Sequence, residues 1–522
     1  MNTKILSTTK QDIALAGEIL KSGGLVAFPT ETVYGLGANA LDDEAVKSIY
    51  RAKGRPSDNP LIVHVSKTED IEPLVEEIPP KAKKLIDKFF PAPLTVILKK
   101  SPLIGNTVSG GLETVAVRMP KNEIARAVIE AAGVPVAAPS ANTSGLPSPT
   151  KAQHVISDMN GKIDAIIDGG DCEFGVESTV ISLAGETPVI LRPGAITKEM
   201  IEAVIGKVEL ARAVMSEIGK DEKAPSPGMK YKHYSPRAKI IIVDSDKEKY
   251  EKFVNSKTDA FALCFEEDNI KIPKVVYGRE GDDLSQAKQL FDKLRELDEL
   301  GAKKVYARLP NKSGVGMAVF NRLIRAAAFN IIDLNKPFTI GLTGPTGAGK
   351  GWVCEEFKKL GFTIIDSDSV ARKMTEKGSP LLPRLQDEFG SDILENGELN
   401  RKLLAKRAFE SRDRTNKLNE IMHPAIIEEC IKQSEIPCVL DAPQLFEANA
   451  DKLCYKIICV IAPLKKRLER IIRRDNITEE QALQRINAQF DEDYYINRSD
   501  YVIHNNGQNI NEQINDILEE IL

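Results

Sequence analysis

Short apolar runs that end in polar or glycine-rich turns recur along the whole chain. The first run, Leu25–Phe28, follows a helical pattern over Gln11–Lys21 and a Gly-Gly pair that ends it. Runs of this length are typical of buried strands, and apolar residues spaced three or four apart indicate amphipathic helices. Strands that alternate with helices predict an α/β layered fold. The later strands predicted in this part are Leu61–Val65, Leu94–Leu98, Val115–Arg118, Val134–Ala137, Ala165–Asp168 and Ser178–Ile181.

Changes in this pattern divide the chain into four segments. Residues 1–205 carry the strands above, and residues 206–237 are predicted to be a linker or lid because Pro and Gly cluster there. Residues 238–334 are predicted to form a small α/β unit, and residues 337–522 a further α/β domain. The small unit is predicted from strands Lys239–Val243 and Ala260–Cys264 and helices Leu284–Leu300 and Met317–Phe329, and the last domain opens on strand Phe338–Thr343.

Composition narrows the class of protein. A length of 522 residues is enough for three or four domains of ordinary size. With 71 Lys+Arg and 76 Asp+Glu the net charge is −5, which excludes a basic coat for nucleic acid but allows a local basic cleft. The 7 Cys form no Cys-x-x-Cys pair and the 5 His lack metal-ligand spacing. We therefore expect free thiols in a cytoplasmic protein, with no metal site assigned and no membrane contact.

The last domain begins with a phosphate-binding motif. Gly344–Lys350 has the G-x-x-x-x-G-K pattern between a predicted strand and the predicted helix Trp352–Leu360. Its backbone N–H groups, the helix N-terminus and Lys350 can all approach phosphate oxygens. Gly351 stands where a Ser or Thr hydroxyl normally ligates Mg²⁺. This departure leaves the metal affinity and the rate open.

Carboxylates and arginines follow the motif. Asp366 and Asp368 leave the end of a predicted parallel strand, where one of them could accept a proton from an attacking hydroxyl or hold Mg²⁺ through water. The structural alternative for either residue is a helix N-cap. The Arg-rich helix Lys465–Asp475, with Arg485 and Gln489 on the following helix, is typical of a phosphate-clamping lid, and a solvated face is the ordinary alternative.

Residues 338–522 resemble the dephospho-CoA kinases. The matching elements are GLTG…GAGK, IIDSDSVAR, the pair His423-Pro424, PQLFE, RRDNIT and SDYVIHNNG. The resemblance implies transfer of the ATP γ-phosphate to the ribose 3′-hydroxyl of dephospho-CoA, with Asp368 as base and Arg372 near the acceptor. Trp352 and Gln444 depart from the family pattern, as Gly351 does. The implied ATP-binding residues are Gly347, Ala348, Gly349, Lys350, Gly351, Trp352 and Arg474, of which Lys350 and Arg474 would stabilise charge.

Polar clusters at strand ends also mark the first domain. Lys53 and Arg55, two residues apart and held by Gly and Pro, can converge on a polyphosphate. Each cluster alone is equally typical of an ordinary turn or exposed loop. Together, at the ends of several apolar strands, they indicate one concave anion-binding surface. The clusters are Pro29–Gly37, Lys53–Pro56, Ser140–Asn142, Gly175–Thr179 and Leu191–Gly194.

From about residue 8 to 334 the chain resembles the YrdC-like family, specifically two-domain L-threonylcarbamoyl-AMP synthases. The matching elements are PTETVYGLG, KGRP-x-x-NPLIVH, GVESTV, LRPG, SPGMKYKHYSP and GVGMAVFNRLIRAA. The implied architecture is a YrdC-like α/β domain, a small α/β extension domain and a P-loop kinase domain with a parallel sheet. The implied reaction forms threonylcarbamoyl-AMP and pyrophosphate from L-threonine, bicarbonate and ATP with Mg²⁺. This is the first step of the t⁶A modification of tRNA position 37.

The second resemblance also implies site residues. Lys53 and Arg55 would neutralise the triphosphate and its leaving group. The threonine end would be formed by Thr32, His64, Arg118, Ala138 and Ser178. The ATP end would be formed by Arg55, Asn59, Thr114, Ser140, Asn142, Ser148, Arg192 and the two lid residues Tyr231 and Tyr234.

The leading hypothesis is a bifunctional cytoplasmic enzyme, with tRNA-modifying threonylcarbamoyl transferase machinery as partner. In the first alternative the synthase alone is active and the C-terminal domain is a degenerate nucleotide-binding module, because Gly351 and Trp352 depart from the kinase pattern. The second alternative is an RNA-binding module, against which the acidic net charge counts; weak RNA binding stays an open expectation. Oligomeric state, domain arrangement, metal preference and coupling between activities are not predicted.

Overall fold

The computed structural model describes residues 2–214, 234–435, 437–507 and 509–521. The chain divides into two compact units, Met1–Ile331 and Ile332–Leu522. Most of the predicted lid, including Tyr231, lies outside the described residues. None of the described helices is both long and apolar enough to cross a membrane. The 7 cysteines are free and buried, as the sequence predicts.

The first unit is built from short strands and short helices. Its strands are β1 (Lys4–Leu6), β2 (Val26–Phe28), β3 (Gly35–Asn39), β4 (Ile62–His64), β5 (Leu94–Lys99), β6 (Thr114–Arg118), β7 (Val136–Ala137), β8 (Ala165–Ile167), β9 (Thr179–Ser182), β10 (Val189–Arg192), β11 (Glu209–Leu210), β12 (Lys239–Asp244), β13 (Phe261–Cys264), β14 (Lys274–Val276), β15 (Lys304–Arg308) and β16 (Ile331–Asp333). Its helices are α1 (Lys10–Lys21), α2 (Asp43–Lys53), α3 (Pro80–Phe89), α4 (Asn106–Ser109), α5 (Glu123–Ala132), α6 (Ala152–Met159), α7 (Lys198–Ile205), α8 (Lys247–Asn255), α9 (Asp283–Glu299) and α10 (Gly316–Ala326).

The larger sheet of this unit brings the polar strand ends to one edge. It has eleven strands in the order β1-β8-β2-β3-β7-β4-β6-β5-β9-β10-β11. Strands β4 and β6 run parallel with His64 opposite Arg118, so both side chains leave the sheet at the same end. The strand interiors are apolar, and Val63 and Val117 are fully buried in the core. Glu209 and Leu210, which the sequence assigns to the linker, form the edge strand β11.

The small α/β extension domain packs against the first domain through a shared core. Its sheet has the order β14-β13-β15-β12-β16, and the pairs of β12, β13, β14 and β15 are parallel. Val33 and Val176 of the first domain belong to the same hydrophobic cluster as Tyr234 and Phe291. Burial of these side chains therefore fixes the extension domain beside two of the predicted site motifs.

The strands of the second unit are β17 (Phe338–Thr343), β18 (Thr363–Asp366), β19 (Leu394–Glu395), β20 (Glu398–Leu399), β21 (Cys438–Asp441), β22 (Cys454–Ile461) and β23 (Tyr501–His504). Five of them form a parallel sheet in the order β18-β21-β17-β22-β23. The helices of this unit are α11 (Lys350–Lys359), α12 (Ser367–Lys373), α13 (Leu381–Phe389), α14 (Arg401–Ala408), α15 (Arg412–Gln433), α16 (Leu464–Asp475), α17 (Glu479–Asn487), α18 (Glu492–Ile496) and α19 (Ile510–Ile521). The predicted α/β class and the parallel sheet are confirmed.

One sequence-based placement in the second unit is wrong. Gln489 was expected on the helix that follows the Arg-rich helix, but α17 ends at Asn487 with Ala488 as its C-cap. The side chain of Gln489 instead accepts a hydrogen bond from the Thr346 backbone N–H at 2.7 Å. Gln489 thus contacts the phosphate-binding loop from just beyond the end of α17.

Gly175 allows the first domain and the extension domain to approach closely. Its φ is +75°, and a Cβ there would lie 2.5 Å from the Lys288 carbonyl oxygen on α9. We expect Gly175→Ala to lower the free energy of unfolding of the first unit by about 1–3 kcal/mol through backbone strain and overpacking. The control Gly185→Ala, at a position with no atom within 4 Å of a Cβ, should change it by less than about 0.5 kcal/mol.

Two spectroscopic signals distinguish the unfolding of the first unit from that of the second. Trp352, the single Trp, lies in the second unit, so its fluorescence follows the unfolding of that unit. Far-UV circular dichroism follows both units. Gly175→Ala should shift the dichroism transition and leave the Trp352 transition in place. Equal stability of the Gly175 and Gly185 variants would contradict the close approach.

Candidate active sites

A cavity lies at the polar strand ends of the first unit. Its lining contains side chains from β4, β6 and β10, the end of α2, and the loop that follows β7. Lys53, His64, Arg118 and Arg192 are buried there, which places several cationic or basic groups in a site of low dielectric constant. The predicted site residues that line this cavity are Thr32, Lys53, Arg55, His64, Arg118, Ala138, Ser140, Asn142, Arg192 and Tyr234.

At one end of the cavity Arg118 forms hydrogen bonds with two polar side chains. Its guanidinium donates to Glu31 Oε1 at 2.7 Å and to Thr32 Oγ1 at 3.0 Å. Burial favours the protonated acid, but the Arg118 charge, the hydrogen bond from Arg118 and backbone hydrogen bonds together outweigh it and hold the pKa of Glu31 below its usual value. Burial, reinforced by the same charge, lowers the pKa of His64 to about 3. His64 is therefore neutral at pH 7. At this end of the cavity the charges of Arg118 and Glu31 balance each other, and the surrounding polar groups can form hydrogen bonds with a ligand.

At the other end Lys53 is wrapped by the loop after β7. Its ammonium group donates to the carbonyl oxygens of Ser140 and Asn142, the latter at 2.6 Å. The Ser140 hydroxyl donates to the Asn142 side-chain oxygen at 2.6 Å, and Ser144 N–H donates to the Lys53 carbonyl at 2.9 Å. Burial, with the neighbouring charge of Arg55, lowers the pKa of Lys53 well below its usual value. A bound polyanion would favour the charged form of Lys53, so this end is suited to phosphate.

Two arginines complete the phosphate-binding end. Arg55 donates to the Pro60 carbonyl at 3.2 Å. Arg192 donates through Nε to the Ser178 carbonyl at 3.0 Å and through a terminal nitrogen to the Ser178 hydroxyl at 3.2 Å. Both arginines are thus held by neutral oxygens rather than by carboxylates, which leaves their charge available to an anion.

The cavity lining does not include Ser178, Ser148, Asn59 or Thr114. The Ser178 hydroxyl accepts a hydrogen bond from Arg192 at 3.2 Å, and the Ser148 hydroxyl donates to Glu177 Oε1 at 2.6 Å. Asn59 is buried, and its carbonyl accepts from the Tyr50 hydroxyl at 3.1 Å. Thr114 is the first residue of β6, at the opposite end of the strand from Arg118. Tyr231 lies outside the described residues, whereas Tyr234 is buried against Phe291 with its ring centroid 5.1 Å away.

Glu177 is not among the site residues predicted from the sequence, although it lies within the GVESTV motif. The structure places this carboxylate in the cavity wall, buried and paired with Arg322 of the extension domain at 2.9 Å. Thr30 also lines the cavity and donates to the Val33 carbonyl at 2.6 Å, which shapes the turn that carries Thr32. One feature of the sequence could have indicated a role for Glu177: it is the single charged residue of the GVESTV motif.

In the second unit the phosphate-binding loop is held from outside by helix α16 and by Asn505. Arg470 donates to the carbonyls of Gly347 and Ala348 at 3.1 and 2.9 Å, and Arg467 donates to the Thr346 carbonyl at 3.0 Å. The buried Asn505 side chain adds a bond to the Ala348 carbonyl at 2.8 Å. These contacts turn the loop carbonyls toward α16. An anion can then approach the loop N–H groups and the N-terminus of α11, which begins at Lys350.

The two candidate bases after β18 have different roles. Asp366 is the N-cap of α12, because its side chain accepts from the Asp368 N–H at 3.0 Å and the Ser369 hydroxyl at 2.7 Å. Asp368 instead lines a second cavity that also contains His423 and Gln444. Burial and the neighbouring Asp366 charge raise the pKa of Asp368. The cap alternative thus describes Asp366, and Asp368 faces a space that can hold an acceptor.

A third carboxylate lies beside the loop lysine. Asp441, at the end of β21, is partly buried, and its Oδ1 has no hydrogen-bond partner within the part of the chain that the structure describes. Burial raises its pKa, and the Lys350 charge opposes that shift. The Cys354 thiol lies 3.5 Å from the other oxygen of Asp441. A buried carboxylate oxygen next to a phosphate-binding loop is suited to a hydrated cation.

The remaining predicted kinase residues lie at the surface. Trp352 is 48% exposed and its indole N–H donates to Glu356 at 3.3 Å. Arg474 pairs with Asp475 at 2.7 Å, yet its charge still acts on Asp368. Arg372 also acts electrostatically on Asp368 and lies on α12. A Cβ at Gly351 would meet no atom within 4 Å, so the missing hydroxyl is not excluded by space.

Together these sites define a class of protein. The first unit has a cavity with a phosphate-binding cationic end and a hydrogen-bonding end, as expected of an enzyme that transfers a nucleotide to a small polar substrate. The second unit has a phosphate-binding loop on a parallel sheet with a carboxylate facing a separate cavity, as expected of a small-molecule phosphotransferase.

Comparison with known proteins gives the particular families. Residues 18–194 match a family model described as telomere recombination, and residues 196–328 match the threonylcarbamoyl-AMP synthase C-terminal domain. The threonylcarbamoyl-AMP synthase of Pyrococcus abyssi is 47% identical over 332 residues, covering 62% of this chain and 96% of the relative. That of Bacillus subtilis is 45% identical over 342 residues, covering 63% of this chain and 97% of the relative.

The second unit matches a different family. Residues 338–511 match the dephospho-CoA kinase model. The dephospho-CoA kinase of Bacillus cereus is 36% identical over 176 residues, covering 32% of this chain and 88% of the relative. The crystal structure of Pyrococcus abyssi Sua5 complexed with L-threonine aligns with the first unit at 43% identity and a TM-score of 0.61, covering 64% of this chain and 100% of that one.

The chain therefore belongs to the threonylcarbamoyl-AMP synthase family in its first unit and to the dephospho-CoA kinase family in its second. Both are enzyme families, so the bifunctional hypothesis is confirmed at the level of family. The alternative with a degenerate C-terminal module is not favoured, because the kinase match extends over nearly the whole unit.

Proposed function

We propose that the first unit converts L-threonine, bicarbonate and ATP to threonylcarbamoyl-AMP and pyrophosphate, and that the second transfers the ATP γ-phosphate to the 3′-hydroxyl of dephospho-CoA. The observation that carries the first proposal is the cavity in which Lys53, Arg55 and Arg192 converge without a free carboxylate. The observation that carries the second is the phosphate-binding loop beside Asp368, which faces a separate cavity.

In the synthase the amine of threonine adds to bicarbonate-derived CO₂ and gives a carbamate. A carbamate oxygen then attacks the α-phosphorus of ATP, and the bond to the pyrophosphate oxygen breaks. No nucleophile from the protein is needed. Lys53, Arg55 and Arg192 would stabilise the charge that develops on the phosphates and the leaving group, since buried cations act strongly at low dielectric constant. Thr32, His64, Arg118 and the Ala138 backbone would hold threonine.

In the kinase the loop and Lys350 would hold the ATP phosphates, while Asp368 accepts the proton of the attacking hydroxyl. The raised pKa of Asp368 brings this carboxylate closer to the pKa expected of an efficient general base at neutral pH. Arg372 and Arg474 act electrostatically on Asp368 and would attract the anionic substrates. The acceptor would occupy the cavity lined by Asp368, His423 and Gln444.

Mg²⁺ is proposed to accompany ATP in both sites. In the second unit the unpartnered Oδ1 of Asp441 and the exposed Asp366 would hold a hydrated ion, which would neutralise phosphate charge. Within the described ranges no cluster of three or more His, Cys, Asp or Glu side chains is arranged to hold a metal. The residues thus fit an ion held mainly by ATP and water. No direct ligand is assigned in the first unit.

The fate of the synthase product is part of the proposal. Threonylcarbamoyl-AMP would be used by the tRNA-modifying threonylcarbamoyl transferase machinery for t⁶A at tRNA position 37. A cytoplasmic location and weak RNA binding belong to the same proposal. The use by a transferase is supported by the chemistry of the product, because a labile mixed anhydride has to be consumed by a second enzyme.

The first prediction about activity concerns Lys53. Lys53→Ala should lower threonine-dependent pyrophosphate release by about 100-fold or more, because it removes a buried charge from the phosphate end. Formation of CoA from dephospho-CoA should stay within about twofold of wild type, since the residues of that site belong to the second unit. The control Lys47→Ala, on the same helix but exposed, should change neither activity. Loss of both activities in the Lys53 variant would contradict independent sites.

The second prediction concerns Asp368. Asp368→Asn should lower kinase turnover by about 100-fold or more while ATP still binds, because an amide cannot accept the proton. In the control Asp366→Asn the amide oxygen still caps α12 and the like charge is removed. The pKa of Asp368 should then fall, so that the acid limb of the kinase pH–rate profile moves to lower pH. Retained turnover in Asp368→Asn would show that Asp368 is not the base.

The third prediction concerns Gly351. Gly351→Ser should place a hydroxyl where it can reach Mg²⁺ and so lower the half-saturating Mg²⁺ concentration of the kinase about fivefold, equivalent to roughly 1 kcal/mol for one polar contact. Gly351→Ala is the matched control, because it adds the Cβ and the helix propensity without the hydroxyl. A titration of kinase rate against Mg²⁺ measures both. The same Mg²⁺ response in the two variants would contradict a metal position at this residue.

A further inference from the structure

An arginine of the extension domain forms part of the wall of the synthase cavity. Arg322, on α10, has a relative exposure of 0%. Its Nε donates to Glu177 Oε2 at 2.9 Å, and its terminal nitrogens donate to the Glu177 carbonyl at 3.0 Å and the Pro193 carbonyl at 2.6 Å. The side chain thus reaches from the extension domain to two of the strand-end clusters that form the site.

Glu177 is the carboxylate that this arginine meets. It lines the same cavity as Lys53, Arg55 and Arg192, and it is almost fully buried. Its Oε1 accepts from the Ser148 hydroxyl at 2.6 Å, while Oε2 is taken by Arg322. Both oxygens therefore have partners, and the carboxylate holds Ser148 on one side and the extension domain on the other.

The charge of this carboxylate would oppose the proposed substrate. An uncompensated carboxylate in the wall of a cavity that binds a triphosphate repels it, and repulsion is strong where water is excluded. Burial alone would favour protonation of Glu177, but the charges of Arg322 and Arg192 outweigh it and keep the pKa of Glu177 low. Without Arg322, the negative charge of Glu177 would have to be balanced by Arg192. Arg192 is itself needed to bind the anionic substrate.

A second arginine of the same domain supports the cavity. Arg295, on α9, donates to the Pro147 carbonyl at 2.6 Å and to Asp158 Oδ2 at 2.9 Å. Asp158 in turn accepts from the Thr143 N–H at 3.1 Å. The loop of residues 140–148, which wraps Lys53 and carries Ser148, is therefore held by the extension domain as well. The cavity as it stands in the structure is completed by that domain.

We propose that Arg322 is a positioning residue for ATP in the synthase site, acting by neutralising Glu177 and fixing it between Ser148 and the cationic wall. This inference rests on the proposed synthase activity. It assigns the extension domain a direct part in nucleotide binding through one ion pair. Arg322 acts through Glu177 and touches no reacting atom in this account.

The two ends of the ion pair should have opposite effects on ATP. Arg322→Met leaves Glu177 uncompensated and should raise the KM for ATP about tenfold, with the KM for threonine changed less than about twofold. Glu177→Gln removes the repulsive charge and should leave the KM for ATP unchanged or lower. The double variant should recover most of the loss. Loss of a merely structural contact would instead affect both single variants in the same direction.

Threonine-dependent pyrophosphate release measures both KM values at fixed pH. Arg308→Met is the matched control: Arg308 is a buried arginine of the extension domain whose partners are Asp268, Glu280 and the Ser245 carbonyl. It should lower the melting temperature and leave both KM values within about twofold. If Arg322→Met does not fold by circular dichroism, Arg322→Lys keeps the charge and should raise the KM for ATP about threefold without affecting threonine.

Several outcomes overturn the inference. Equal changes of the two KM values in the Arg322 variant, a higher KM for ATP in Glu177→Gln, or a double variant no better than Arg322→Met would each contradict it. The same loss of ATP affinity in Arg308→Met would show a general effect of weakening the extension domain. Failure of the proposed function is distinguishable, because wild-type protein would then release no pyrophosphate on addition of threonine.

Discussion

Binding of a polyphosphate requires positive charge where water is largely excluded, and the two units meet this requirement differently. In the first unit Lys53, Arg55 and Arg192 are held by backbone carbonyls and a hydroxyl, so their charge stays available to an anion. In the second unit the carbonyls of the phosphate-binding loop are turned toward Arg470 and Asn505, so the loop N–H groups and Lys350 can face the phosphates. The topology of each sheet places these groups at one edge.

Carboxylates that lie close to a phosphate-binding site would repel the anion unless a neighbouring positive charge balances them. In the first unit Glu31 is paired with Arg118, and Glu177 with Arg322, so neither opposes an anion. In the second unit burial, together with the charge of Asp366, raises the pKa values of Asp368 and Asp441, and the Lys350 charge opposes both shifts. This arrangement suits a proton acceptor and a hydrated cation. The extension domain belongs to the synthase site in this view, because one of its buried arginines compensates a carboxylate of the cavity.

Local pattern predicted the elements well where a strand is buried on both faces. The strands Phe338–Thr343 and Cys438–Asp441 contain short apolar runs, and all of their residues except Asp441 are buried. Contacts distant in sequence were not predictable in this way. Glu177 and Arg322 are 145 residues apart, and Gln489 lies just beyond α17 and bonds to Thr346, 143 residues earlier in the chain. The family resemblance implied roles for Thr114 and Asn59, but neither residue lines the cavity.

The central claim is that one chain carries two enzyme activities. The kinase activity is the one to test first, because the second unit departs from its family's pattern at Gly351, Trp352 and Gln444. The most direct measurement is to incubate the intact protein with ATP, Mg²⁺ and dephospho-CoA and to look for coenzyme A by mass spectrometry. Formation of coenzyme A at a rate well above a control without protein is the predicted result. Absence of coenzyme A, while threonine, bicarbonate and ATP still yield pyrophosphate, would contradict a bifunctional enzyme and leave the second unit as a nucleotide-binding module.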